Sequence, residues 1–130
     1  MDPEHIDVEF LLNDEDLGVY TIERLGAALD EAFDCQSFQL NVSVARGPIL
    51  SMLRNGDAAW LMYLHEPGDS GLRSSGDASR SGTAQFTLDN GQVDEYPLAW
   101  CLDVDQALRV VSYFCVNDGE RPDWVDWVDC

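Results

Sequence analysis

Hydrophobic and polar positions alternate through residues 5–11, with Ile6, Val8 and Phe10 on one side and Asp7 and Glu9 on the other. A period of two sends successive side chains to opposite faces, so this stretch predicts a half-buried strand. The acidic run Asn13-Asp14-Glu15-Asp16 leads toward a helix. From Thr21 the period changes: Ile22, Leu25, Ala28, Leu29, Ala32 and Phe33 trace one helical stripe. Thr21 is placed to cap that helix, and Glu23 suits the positive end of its dipole.

A run of strands follows. Phe38, Leu40, Val42 and Val44 alternate with Gln39, Asn41 and Ser43, Arg46-Gly47-Pro48 makes a turn, and Ile49 to Leu53 is short and apolar. Asn55-Gly56 is a strong hairpin signal, because both residue types tolerate positive φ. Ala58 to Leu64 is apolar on both faces, Trp60 and Met62 opposite Leu61 and Tyr63, which predicts a central strand. Residues 66–82 are mostly Gly, Ser, Asp and Arg. They read as one long loop, or as a loop around a very short strand at Gly71-Leu72-Arg73, and loops of that length are usually functional or mobile.

Strands resume at Thr83–Leu88 and Gln92–Tyr96 around a second hairpin signal, Asn90-Gly91. Asp103, with Gln106 three residues on, opens a second helix whose stripe is Ala107, Leu108, Val111, Tyr113 or Phe114, and Cys115. Asn117-Asp118-Gly119 ends it and Pro122 prevents its extension. Trp124 to Val128 alternate again as a final strand. Helices segregated from an antiparallel meander define an α+β fold: a meander sheet with two helices packed on it and a C-terminal strand.

Composition narrows the function. The 130 residues contain 25 Asp or Glu against seven arginines and no lysine, for a net charge of -18. A polyanion lacks the clustered cations that phosphate contacts require, so direct nucleic-acid binding is excluded, as is settling on an anionic membrane. A basic macromolecule is the natural partner, met at an enhanced rate. A 45% hydrophobic content with four Trp and five Phe argues against disorder. The length suits one domain, residues 1–130. The acidic N-terminus lacks the regions of a signal peptide and no apolar run approaches a membrane span, so a cytoplasmic location is expected. Cys35, Cys101, Cys115 and Cys130 have no CxxC spacing, and free thiols are favoured over a disulfide.

The chemical motifs are weak. His65-Glu66 lacks both the Pro-Cys-x-x-Cys of zinc deaminases and a second His four residues on, and His5 is the only other histidine, so no metal or other cofactor is expected. Gly68-Asp69-Ser70-Gly71 is not a nucleophile elbow, because Gly71 follows Ser70 directly and no helix follows. Residues 13–18 place Gly18 sixth as in a calcium loop, yet Leu17 and Arg24 occupy ligand positions, leaving a solvated acidic loop. In the tail, Trp127 suits the core and Trp124 a surface anchor, tryptophan being enriched at binding hot spots. The 66–82 loop offers acids beside the apolar Tyr63 but no base with an orienting partner. It suits a binding protein better than an enzyme, with a merely solvated loop as the plain alternative.

The run Asn55-Gly56-Asp57-Ala58-Ala59-Trp60-Leu61-Met62-Tyr63 leads to Ser75-Gly76-Asp77, then Gln106-Ala107-Leu108 and Tyr113-Phe114, then Gly119-Glu120-Arg121-Pro122-Asp123-Trp124-Val125-Asp126-Trp127. With these residues the chain resembles the first-numbered immunity protein family of bacterial polymorphic toxin systems. That family includes the immunity protein of the double-stranded-DNA cytosine deaminase toxin. The resemblance implies a small α+β cytoplasmic protein that binds a toxin domain, mostly of the deaminase class, and blocks its active site without being an enzyme. It makes Gly76 structural, through a positive φ, and Trp127 a core residue.

The expected partner is therefore a cognate toxin domain with a basic active-site cleft, bound as a 1:1 heterodimer. The expected contacts are Glu66, Asp69, Arg73 and Asp77 in the loop, Tyr63 beside it, Asp94 and Glu95 on the second hairpin, and Trp124 in the tail. An acidic adaptor or chaperone for another basic partner is the rival reading, and a small hydrolase centred on His65 is a distant third.

Overall fold

The structure, a computed structural model, describes residues 8–13, 15, 16, 18, 21–34, 36–44, 47–66, 68–88 and 90–129. The readings above at His5, Ile6, Asp7, Asp14, Leu17, Cys35, Arg46 and Cys130, and for the side chains of Ile22, Ala32 and Phe33, fall outside it.

The architecture is α+β, with every strand pair antiparallel. In chain order come β1 (Val8–Leu12), β2 (Glu15–Asp16), α1 (Ile22–Asp34), β3 (Ser37–Val44), β4 (Ile49–Asn55), β5 (Ala58–Leu64) and β6 (Leu72–Ser75). β7 (Thr83–Thr87) and β8 (Val93–Pro97) follow, then β9 (Leu102–Asp103), α2 (Val104–Val116) and β10 (Asp126–Asp129). The main sheet runs β10-β6-β5-β4-β3-β1-β2, with β9 pairing the start of β5, while β7 and β8 form a separate two-stranded sheet. The β3–β6 meander follows from alternation and short turns. β5 is central because both its faces are covered.

On one face, Leu50, Met52, Leu61 and Tyr63 pack with Leu25 of α1 and with α2, whose Val104, Ala107, Leu108, Val110, Val111, Phe114 and Cys115 are buried. Burial of such large apolar side chains contributes about 1.5–3 kcal/mol each. On the other face, Leu53 and Trp60 meet Phe86 of the β7–β8 hairpin, and Trp60 stacks flat on Tyr96 at 4.2 Å. The Asn55 side chain donates to the Gln85 carbonyl at 2.7 Å and ties that hairpin to the sheet.

Both helix caps form as the sequence predicts: the Thr21 hydroxyl accepts from the Arg24 N–H at 3.1 Å, and the Asp103 carboxylate from the Gln106 N–H at 2.8 Å. Replacing Asp103 by Ala is expected to cost about 1 kcal/mol of stability in a urea titration. Gly119, at φ 87°, closes α2 by donating to the Phe114 carbonyl at 2.8 Å.

Five details differ from the sequence reading. Glu15 and Asp16, read as part of a solvated acidic loop, form the two-residue strand β2 because the chain turns back to pair with Leu12 and Leu11. Asn55 pairs with Ala58, so the first hairpin turns on Gly56-Asp57 rather than Asn55-Gly56. Of the two readings of the glycine-rich stretch, the one with a short strand holds, but the strand, β6, runs over residues 72–75 rather than 71–73, because Leu72 and Arg73 find partners in both β5 and β10 and β10 extends the pairing to Ser74 and Ser75. The final strand starts at Asp126, not Trp124, and pairs with β6 at the sheet edge. Gly76 does not take a positive φ; it is glycine because the backbone at Ala99–Cys101 passes too close for a Cβ. Its N–H donates to the Ala99 carbonyl at 2.9 Å.

Cys101 and Cys115 are free and buried. Burial pushes the Cys115 thiol up from 9.0 to about 12 and raises the Tyr63 hydroxyl above its usual 10.0. A folded-state pKa above the unfolded value means stability is complete below the unfolded pKa and lost as pH rises through the window up to the folded one. The urea midpoint is therefore expected to fall between about pH 9 and pH 12, and Cys115→Ala to flatten part of that fall. An unchanged midpoint across this range would contradict the burial.

Candidate functional site

Two depressions open along the β10 side of the sheet, and the segment 120–127 contributes to both. The first, about 420 Å³, lies where β6 ends, α2 begins and the chain enters β10. Asp77, Asp103, Asp126 and Trp124 face it, with Arg80 as its one cation. The second, about 440 Å³, lies at the far end of β5 between Tyr63, His65, Glu120, Arg121, Asp123 and Trp127. Three carboxylates oppose one guanidinium in the first and two oppose one in the second, so both present negative potential to a partner.

The local sequence fixes these groups. Asp77 is an Asx-turn residue: its carboxylate accepts from the Ser79 N–H at 2.9 Å and from the Ser79 hydroxyl at 2.6 Å. Those bonds hold it below its usual 3.8, and Arg80 adds to the effect, so it stays ionised. Asp103 is held by its cap and points one oxygen at the helix N-terminus. Trp124 is 47% exposed and meets Tyr113 edge-on at 6.5 Å. Trp127 is half-buried against the core and donates through Nε1 to the Pro122 carbonyl at 3.1 Å, which ties β10 to the segment before it.

Tyr63 is only 4% exposed, and its hydroxyl donates to the Gly119 carbonyl at 2.8 Å. The Arg121 guanidinium lies 5.1 Å from its ring centre, and His65 packs edge-on at 5.2 Å. A partner reaching this depression meets the charged cover before the phenol. Tyr63→Phe leaves the Gly119 carbonyl unpaired in the interior and is expected to cost about 1–2 kcal/mol in chemical denaturation.

The structure brings only part of the sequence-named set together. Asp77 and Trp124 share the first depression and Tyr63 lies in the second. Glu66 is exposed just after His65, and Asp69 folds back so that its carboxylate accepts from the His65 N–H at 3.1 Å. Arg73 is turned elsewhere: its guanidinium stacks 3.8 Å from the Trp100 ring and donates to the Ser74 carbonyl at 3.1 Å.

Asp94 and Glu95 sit on β8 and line neither depression. Asp94 is occupied by the Gln92 amide at 2.7 Å and the Tyr96 hydroxyl at 3.0 Å, while Glu95 is exposed. No pattern in the sequence signals that Asp103, a helix cap, lines the same depression as Asp126. Asp123 and Asp126 carried one, through their interleaving with tryptophan.

Among the described residues no group of three or more His, Cys, Asp or Glu is arranged to hold a metal ion, and no helix is long and apolar enough to cross a membrane. His65 is exposed and touches Tyr63 rather than a nucleophile.

Compared with known proteins, the chain is matched by the family model described as Immunity protein Imm1 over residues 13–129. No match is found among curated proteins.

Proposed function

The chain belongs to the Imm1 immunity protein family, and on that premise we propose that it binds a cognate toxin domain, a nucleic-acid deaminase, and neutralises it by occluding the active-site cleft. Binding is 1:1 in the cytoplasm, and the protein acts by occupancy rather than turnover. The observation that carries the reading is the pairing of an exposed tryptophan, Trp124, with depressions in which carboxylates outnumber cations. A deaminase that acts on a nucleic acid needs a cationic cleft for phosphates. Carboxylates fixed by Asx-turn and cap geometry can stand where those phosphates would, and the long-range field of a -18 chain speeds the encounter.

Within the contact, Asp77 and Trp124 act together at the first depression, with Glu66 and Asp69 beyond the second. Tyr63 supports Arg121 from beneath. Arg73, Asp94 and Glu95 belong to the proposed surface at its margins.

Titration calorimetry with the toxin domain encoded beside this chain tests the proposal. The triple variant Glu66→Ala, Asp69→Ala, Asp77→Ala is expected to bind roughly tenfold or more weakly, chiefly through slower association, with the loss shrinking at high salt. Wild-type affinity in that variant would remove the loop from the site. No binding by the wild-type chain, or undiminished deamination in the complex, would remove the function itself.

A further inference from the structure

β10 occupies one end of the main sheet and pairs with β6 alone among the described residues. Its outer edge therefore offers backbone donors and acceptors with no strand of the described residues beside them. The other end of the sheet is divided between β2, only two residues long, and the Val8–Phe10 part of β1 that β2 does not cover, so β10 is the longer of the two end strands. Trp127, anchored in the core and bonded to Pro122, holds the four-residue strand in place.

Sheet edges are commonly blunted by lysine, proline or a bulge. β10 has no lysine and no proline, and its guard is acidic: Asp126 and Asp129 lie on it, with Asp123 just before. A guard of one sign is selective. It repels a second copy of a chain whose net charge is -18, and it attracts a strand carrying cations. Of the large apolar side chains that stand exposed, Val128 at 38% lies on β10 and Trp124 at 47% just before it, which supplies the anchors an added strand would pack against.

We infer that β10 is a docking edge, and that a cationic, extended segment of the toxin domain adds to it as a further antiparallel or parallel strand. This deepens, and rests on, the proposed toxin binding. Main-chain hydrogen bonds supply the grip, and alternate side chains of the incoming strand meet Asp126 and Val128 on one face and Asp129 on the other. An added strand at β10 lies beside both depressions, because Asp126 lines the first and Trp127 the second.

The test is amide exchange followed by NMR on the labelled chain, alone and with the inactivated cognate toxin domain. Amides of residues 126–129 that exchange freely in the isolated chain are expected to slow by at least about tenfold in the complex. The double variant Asp126→Lys, Asp129→Lys is expected to weaken binding by about 100-fold, and Glu15→Lys, Asp16→Lys at the opposite edge by less than about threefold. Thermal melting confirms that each variant is folded. A complex of wild-type affinity in which residues 126–129 exchange as in the isolated chain would overturn edge docking and leave toxin binding intact. Absence of any complex would overturn both.

Discussion

Replacing Gly76 by alanine will destabilise the protein by about 3 kcal/mol, lowering its melting temperature by roughly 10 °C. The new Cβ would run into the carbonyl oxygen of Cys101 and crowd its carbon at 3.0 Å. Both are backbone atoms, so no side-chain rotation relieves the clash. The strand end must move away from the 99–101 segment, which also breaks the 2.9 Å bond from the Gly76 N–H to the Ala99 carbonyl.

The disturbance will not stay local. The neighbouring Ser74 hydroxyl bridges the Leu61 N–H at 3.2 Å and the Trp100 carbonyl at 2.8 Å, at the point where the edge of β5 passes from β6 to β9. Urea unfolding and thermal melting read the effect. A melting point within about 1 °C of the wild type would show that the close approach does not exist. Because Gly76 and Asp77 are adjacent, the variant is also expected to loosen the first depression and weaken toxin binding.

Removing the Trp124 side chain acts on binding with little effect on folding. Trp124→Ala is expected to cost about 2–4 kcal/mol of affinity, roughly 30- to 1000-fold in Kd, seen mainly as faster dissociation. The side chain is almost half exposed, and the ring contact described for it is the edge-on approach to Tyr113, so stability should fall by no more than about 1 kcal/mol. Surface plasmon resonance against the cognate toxin domain, beside a melting curve, separates the two effects. Unchanged affinity would move the anchor away from Trp124. A large loss of stability would make the residue structural.

Much of the fold can be read locally. Strand β3 follows from the alternation of Phe38, Leu40, Val42 and Val44, all buried, with Gln39, Asn41 and Ser43 only partly so. Helix α2 follows from Asp103 as cap and from a stripe that the structure buries, resolving the choice at 113 and 114 in favour of Phe114. The central place of β5 follows from its two apolar faces. Where the local reading left two choices, the deciding force was long-range: the short strand offered at Gly71-Leu72-Arg73 forms as β6, at residues 72–75, because its stability comes from pairing on both sides and not from its own hydrophobicity.

The candidate site is less local still. Asp77 and Trp124 share a depression because β10 pairs with β6, a contact between residues far apart in sequence. Tyr63, apolar and near the loop, looked available for contact, but the end of α2 places the Gly119 carbonyl over its hydroxyl and buries it. Arg73 looked like a loop cation until pairing set it opposite Met62 and stacked it on Trp100.

The sequence by itself determined the α+β class, the two helices with their caps, the meander and the sign of the charge that any partner must oppose. These depend on period, turn chemistry and composition, which act over a few residues or over the whole chain at once. Only the tertiary structure decided which acids face the same space, why Tyr63 is covered, and why residue 76 must be glycine. Each of these depends on the close approach of segments remote in sequence, and such an approach is set by packing and strand register rather than by any residue's own preference.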